Sequence, residues 1–95
     1  AAQDRPAANK LSYQEQKELN RQQRRLEKQV EEAEDQIEAL ETTIAGLEQE
    51  LATPEGASNV EMLQNYLNTK AKLDRIMNNW EKLTLELERF RGLKV

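Results

Sequence analysis

The sequence predicts an all-α protein folded as a two-helix antiparallel coiled-coil hairpin. The first reason is an unbroken alternation of four- and three-residue steps, Leu26, Val30, Ala33, Ile37, Leu40, Ile44, Leu47 and Leu51. Those steps keep one narrow apolar stripe on one helix face, the seam of a left-handed coiled coil. The second is another apolar stretch, Met62 to Phe90, that follows a short segment containing Thr53, Pro54 and Gly56. The third is composition. With 37% hydrophobic and 34% charged residues and few Gly or Pro, the chain cannot fill a broad core but can fill a long, thin one.

Residues 1–10, Ala-Ala-Gln-Asp-Arg-Pro-Ala-Ala-Asn-Lys, have no apolar period and include a proline, so they read as a flexible tether to a coiled-coil domain over 11–95. Ser12-Tyr13-Gln14-Glu15 has the S-x-x-E spacing of a capping box and starts the first helix near 12. No proline follows before Pro54, so that helix runs to about 52, roughly 60 Å at 1.5 Å per residue. Gly46 is its weak interior point, but it lies beside the seam rather than on it. Tyr13 stands outside the seam, placed to anchor the start of the helix or to dock on a neighbouring domain.

A loop of about 53–58 reverses the chain. Ser58-Asn59-Val60-Glu61 is a second S-x-x-E box, which predicts a second helix over about 59–91 with Gly92 as its C-terminal cap. The late seam of that helix is Leu73, Ile76, Trp80, Leu83, Leu87 and Phe90. Its early part spreads over two stripes through Met62, Leu63, Tyr66 and Leu67, and Thr69 and Lys70 give no apolar continuation, which predicts a local change of winding or register. Antiparallel pairing in which residue numbers add to about 113 aligns the seams. Leu40 then faces Leu73, Ile37 faces Ile76, Val30 faces Leu83 and Leu26 faces Leu87. Ala33 falls opposite Trp80, the small-against-large match a close-packed seam requires. Polar Gln23 falls opposite Phe90, so the terminal end is expected to be looser than the middle.

A rod of this kind has almost no concave interior, so it is expected to bind, space or transmit rather than catalyse. Cysteine and histidine are absent, which removes disulfides, thiolate nucleophiles and the usual zinc ligands. No phosphate loop, dinucleotide fingerprint or nucleophile elbow is present. The acidic residues Glu31, Glu32, Glu34, Asp35, Glu38 and Glu41 spread around a helix without converging on a cation. No catalytic, cofactor or metal residue is therefore assigned. No segment reaches the roughly 20 apolar residues of a membrane span, and no signal peptide opens the chain. A cytoplasmic, monomeric domain is expected, and the opening alanine suggests a piece of a larger parent.

Charge is the informative feature. The net charge is −4, yet residues 31–51 hold eight acidic and no basic residues, while residues 1–30 hold seven basic against four acidic. Lys10, Lys17, Arg21, Arg24, Arg25 and Lys28 recur along the first helix and its approach, and antiparallel folding brings Arg89, Arg91 and Lys94 to the same end. Such a cluster can neutralise phosphates and gain affinity by counterion release. The bland alternative is a solvated flank supported by pairs along the helix, such as Glu27 with Arg24. Trp80 and Phe90 sit on the seam and are read as core rather than as base-stacking platforms.

Lys10-Leu11-Ser12-Tyr13-Gln14-Glu15-Gln16-Lys17-Glu18-Leu19 resembles the opening of the C-terminal domain of ABC-F ATPases of the Uup type, K-L-S-Y-x-E-Q-x-E-L. The likeness continues through Ile37 to Glu41, through Leu47-Glu48-Gln49-Glu50-Leu51-Ala52-Thr53-Pro54-Glu55, and through Trp80-Glu81-Lys82-Leu83. The resemblance implies a soluble cytoplasmic parent with two ATP-binding cassettes, which would hold ATP and Mg outside this domain. It also implies an antiparallel coiled-coil extension that binds DNA or ribosomal RNA, linked by its tether to the second cassette. Many relatives interrupt the first helix with Pro or Gly just after the opening motif. Here Asn20 to Arg25 contains neither, although the lapse in the seam between Leu19 and Leu26 permits a local distortion such as a π-bulge. The other reading is a spacer or a coiled coil that docks on a partner protein or on the parent's own ATPase domains.

Overall fold

A computed structural model describes residues 12–93. The expected tether over 1–10, and with it Lys10, lies outside the described residues, as does Lys94. Helix α1 spans Tyr13–Leu51, α2 is a single turn at Pro54–Ala57, and α3 spans Val60–Leu93. Helices α1 and α3 pack along their length as an antiparallel pair, so the all-α coiled-coil hairpin is the observed fold. Among the described residues no helix is long and apolar enough to cross a membrane.

Helix α1 starts on the expected capping box. The Ser12 hydroxyl accepts the Glu15 amide at 3.1 Å, and the Glu15 carboxylate accepts the Ser12 amide at 3.0 Å. The bond from the Ser12 backbone, and to a lesser degree that from its hydroxyl, holds the Glu15 carboxyl below its ordinary range. A depressed carboxylate contributes above its unfolded value and is lost as pH falls through the folded one, so strong acid releases this box.

The seam is longer and more regular than the apolar residues alone suggested. On α1 the inward positions are Leu19, Gln23, Leu26, Val30, Ala33, Ile37, Leu40, Ile44, Leu47 and Leu51, all buried or half-buried. The alternation therefore does not lapse between Leu19 and Leu26, because Gln23 occupies the seam. Helix α1 passes through Asn20 to Arg25 as continuous α-helix, without a π-bulge. On α3 the seam positions are Met62, Tyr66, Thr69, Leu73, Ile76, Trp80, Leu83, Leu87 and Phe90, all buried or half-buried, with Thr84 half-buried beside them. The expected change of winding is absent. Thr69 fills the seam position, its hydroxyl donating to the Asn65 carbonyl at 2.7 Å, while Leu63 and Leu67 turn outward.

Two bonds across the hairpin fix the register. The Tyr66 hydroxyl donates to Glu48 at 2.8 Å, and the Trp80 indole donates to Glu34 at 3.1 Å. Tyr66 and Trp80 each keep the ring in the interface and the polar tip on a flanking carboxylate. Ala33, which is 5% exposed, therefore lies at the level of Trp80. At the terminal end Gln23 faces Phe90, and the Gln23 Oε1, Asn20 Oδ1 and Thr84 Oγ1 atoms are buried with no partner among the described residues. Gln23→Leu should stabilise the hairpin by about 1 kcal/mol, since it adds apolar burial and removes an unpaired oxygen. Urea denaturation followed by circular dichroism measures it.

The reversal is a built tip rather than an open loop. Thr53 caps α2 with its hydroxyl, accepting the Gly56 amide at 3.0 Å and donating to the Glu50 carbonyl at 2.7 Å. Pro54 takes the first helical position, where its missing N–H costs nothing. The predicted second capping box does not form. Ser58 bonds back to the Glu55 carbonyl at 3.2 Å, and Asn59 caps α3 by accepting the Met62 amide at 2.9 Å. Gly92 is not a cap either: α3 runs through it to Leu93, and no described glycine has positive φ.

Candidate nucleic-acid interface

The seam sets where every other side chain points. Residues seven apart share a row on a coiled-coil helix. Glu27, Glu34, Glu41 and Glu48 thus form one row beside the α1 seam, and Leu63, Lys70, Met77, Thr84 and Arg91 form the facing row on α3. Glu34 and Glu48 take the indole and phenol bonds from α3, and Glu27 lies 3.8 Å from Arg91. The opposite flank of α1 is mostly neutral, with Gln22, Gln29, Gln36 and Thr43 before Glu50.

Lys17, Arg21, Arg24 and Lys28 follow the same four-three-four steps as the seam, but on the far side of α1. They make one exposed line of four cations, roughly 16 Å long at 1.5 Å per residue. Arg21 lies 3.6 Å from Glu18, with both side chains well exposed, a contact that constrains the guanidinium little. Beyond Lys28 the same line continues as Glu31, Asp35 and Glu38, so its sign reverses within one turn. The position that reverses charge is a boundary for any polyanion lying along the helix.

The other sequence-predicted residues do not join this line. Arg25 sits one residue round the helix, toward the glutamine flank. Arg89 and Arg91 reach the same end of the hairpin, as the antiparallel register requires, but they are two apart on a helix and so diverge. Arg91 points to the glutamate flank and Glu27, while Arg89 lies toward the other. The expected support of Arg24 by Glu27 is replaced: Glu27 takes the Gln23 amide at 3.2 Å as well as Arg91. Among the described residues the acidic side chains nowhere gather into a group of three or more that would hold a metal ion.

Sequence reasoning missed a second feature. Val60, Leu63, Leu67 and Met77 on α3 are exposed, although all are large and apolar. Extending the four-three steps backward from Leu73 selects Thr69, Tyr66 and Met62 and leaves Leu63 and Leu67 outside; the apolar character of the leucines hid that count. Tyr13, 78% exposed, touches no seam and remains on the surface at the start of α1.

Fold and surface define an all-α coiled-coil hairpin with a segregated charge pattern. No protein-family model, curated protein or solved structure matches the chain.

Proposed function

We propose that this domain is an accessory nucleic-acid-binding arm of a soluble ABC-F ATPase, contacting backbone phosphates of DNA or ribosomal RNA with little sequence specificity. The observation that carries the reading is the line of Lys17, Arg21, Arg24 and Lys28 on the outer face of α1, ended by Glu31. Four exposed cations at regular intervals suit backbone phosphates, which fix position and carry little sequence information. Arg25 is a peripheral contributor. The resemblance of Lys10 to Leu19 to the family's opening motif supports the family assignment. The domain itself binds rather than catalyses.

Replacing Lys17, Arg21, Arg24 and Lys28 together with glutamine should weaken binding to a labelled DNA duplex or structured RNA by at least about a hundredfold at low salt. Helicity should be unchanged, since glutamine is a good helix former. Arg89→Gln, on another face, should leave affinity within about twofold of the parent chain. Equal affinity in the fourfold variant, or a large loss in Arg89→Gln, would place the phosphates elsewhere.

A further inference from the structure

The tip half of α3 exposes an apolar line beside the glutamate row. Val60, Leu63 and Leu67 are 79%, 47% and 51% exposed and lie at i, i+3 and i+7, so they share one face. Across the seam the flanking row of α1 reaches this level at Glu48, and residues 31–69 hold no basic residue but, toward the tip, Glu50, Glu55 and Glu61. The nearest cation along α3 is Lys70, whose ammonium stands 5.2 Å from the Tyr66 ring centroid, and Tyr66 in turn donates to Glu48. The result is an apolar strip with an acidic wall at the tip.

We propose that this strip docks a basic amphipathic helix from a partner protein. Apolar anchors of that helix, spaced i, i+3 or i+4 and i+7, lie on Val60, Leu63 and Leu67, and lysines or arginines along its edge meet Glu48 and the acidic tip around Glu55. Charge selects this occupant. A second copy of the hairpin brings a second glutamate row against the first, and an anionic membrane or nucleic acid meets the same carboxylates. A cationic helix gains from both the apolar face and its wall. This surface lies toward the opposite end of the rod from the cation line, so it stands or falls independently of phosphate binding.

The test uses the whole 95-residue chain and a fluorescein-labelled amphipathic peptide of about 18 residues built from Leu and Lys, read by fluorescence anisotropy. A scrambled peptide of the same composition and an oligolysine of equal charge serve as comparisons. The amphipathic peptide is expected to bind at least about tenfold more tightly than either. Leu63→Ser with Leu67→Ser should remove about that factor without changing helicity, since both residues are exposed. Glu48→Gln with Glu55→Gln should weaken binding and flatten its salt dependence. The proposal is overturned by scrambled or oligolysine binding of equal strength, by no binding of the amphipathic peptide, or by unchanged affinity in the leucine double variant. It is equally overturned if the free chain sediments as a dimer that the leucine changes dissociate, since a second copy then covers the strip.

Discussion

Gly56→Ala is expected to destabilise the hairpin by about 2–4 kcal/mol, a large effect for one methyl group. A Cβ on Gly56 would overlap the Glu50 carbonyl oxygen and stand 2.6 Å from its carbon and 3.0 Å from Leu51 Cα. These are backbone atoms in the last turn of α1, and the Glu50 carbonyl is held in place by the Thr53 hydroxyl and the Thr53 amide. No flexible side chain is available to yield. The requirement is close approach, not a left-handed backbone, since no described glycine has positive φ. Gly46 provides the internal comparison: a Cβ there meets nothing within 4 Å, so Gly46→Ala should stabilise by about 1 kcal/mol through helix propensity. Thermal and urea denaturation of both variants, followed by circular dichroism, read the pair. A neutral Gly56→Ala would mean that the tip is not packed against the end of α1.

Ala33→Leu should cost about 1–3 kcal/mol by overpacking. Ala33 is 5% exposed at the level of Trp80, whose indole is tethered to Glu34 at 3.1 Å. Leucine there leaves the ring two choices, to spread the helices or to swing out and abandon its carboxylate. Either choice changes the environment of the chain's single tryptophan, so the fluorescence maximum should move together with the denaturation midpoint. An unchanged midpoint and spectrum would refute the pairing of Ala33 with Trp80.

Much of this architecture was legible because a coiled coil is specified by spacing. The steps from Leu26 to Leu51 located one seam and Leu73 to Phe90 the other, and aligning the two set a register in which small Ala33 falls opposite large Trp80. What escaped were positions where chemistry and spacing disagree. Gln23 and Thr69 are polar and occupy the seam, whereas Leu63 and Leu67 are apolar and face water; the packing period prevails because a continuous helix cannot rotate one residue independently of its neighbours. The tip was misjudged for a different reason. Both Ser58 and Asn59 precede an apolar run, and only the turn formed by Thr53, Pro54 and Gly56 decides that Asn59 is the cap. The basic residues were identified by type, but their division among faces depends on the seam: with Gln23 in it, Lys17, Arg21, Arg24 and Lys28 become one line and Arg89 and Arg91 leave it.

The most direct measurement is a titration of the domain against a labelled DNA duplex and a structured RNA at several salt concentrations. Four phosphates neutralised by the α1 line predict a slope of log affinity against log salt of about −3 to −4 for duplex DNA. Binding with that slope supports the outer face of α1 as a phosphate-contacting surface, and the tighter of the two ligands identifies the nucleic acid. No binding at low salt, or binding insensitive to salt, contradicts it and leaves a docking or spacer arm.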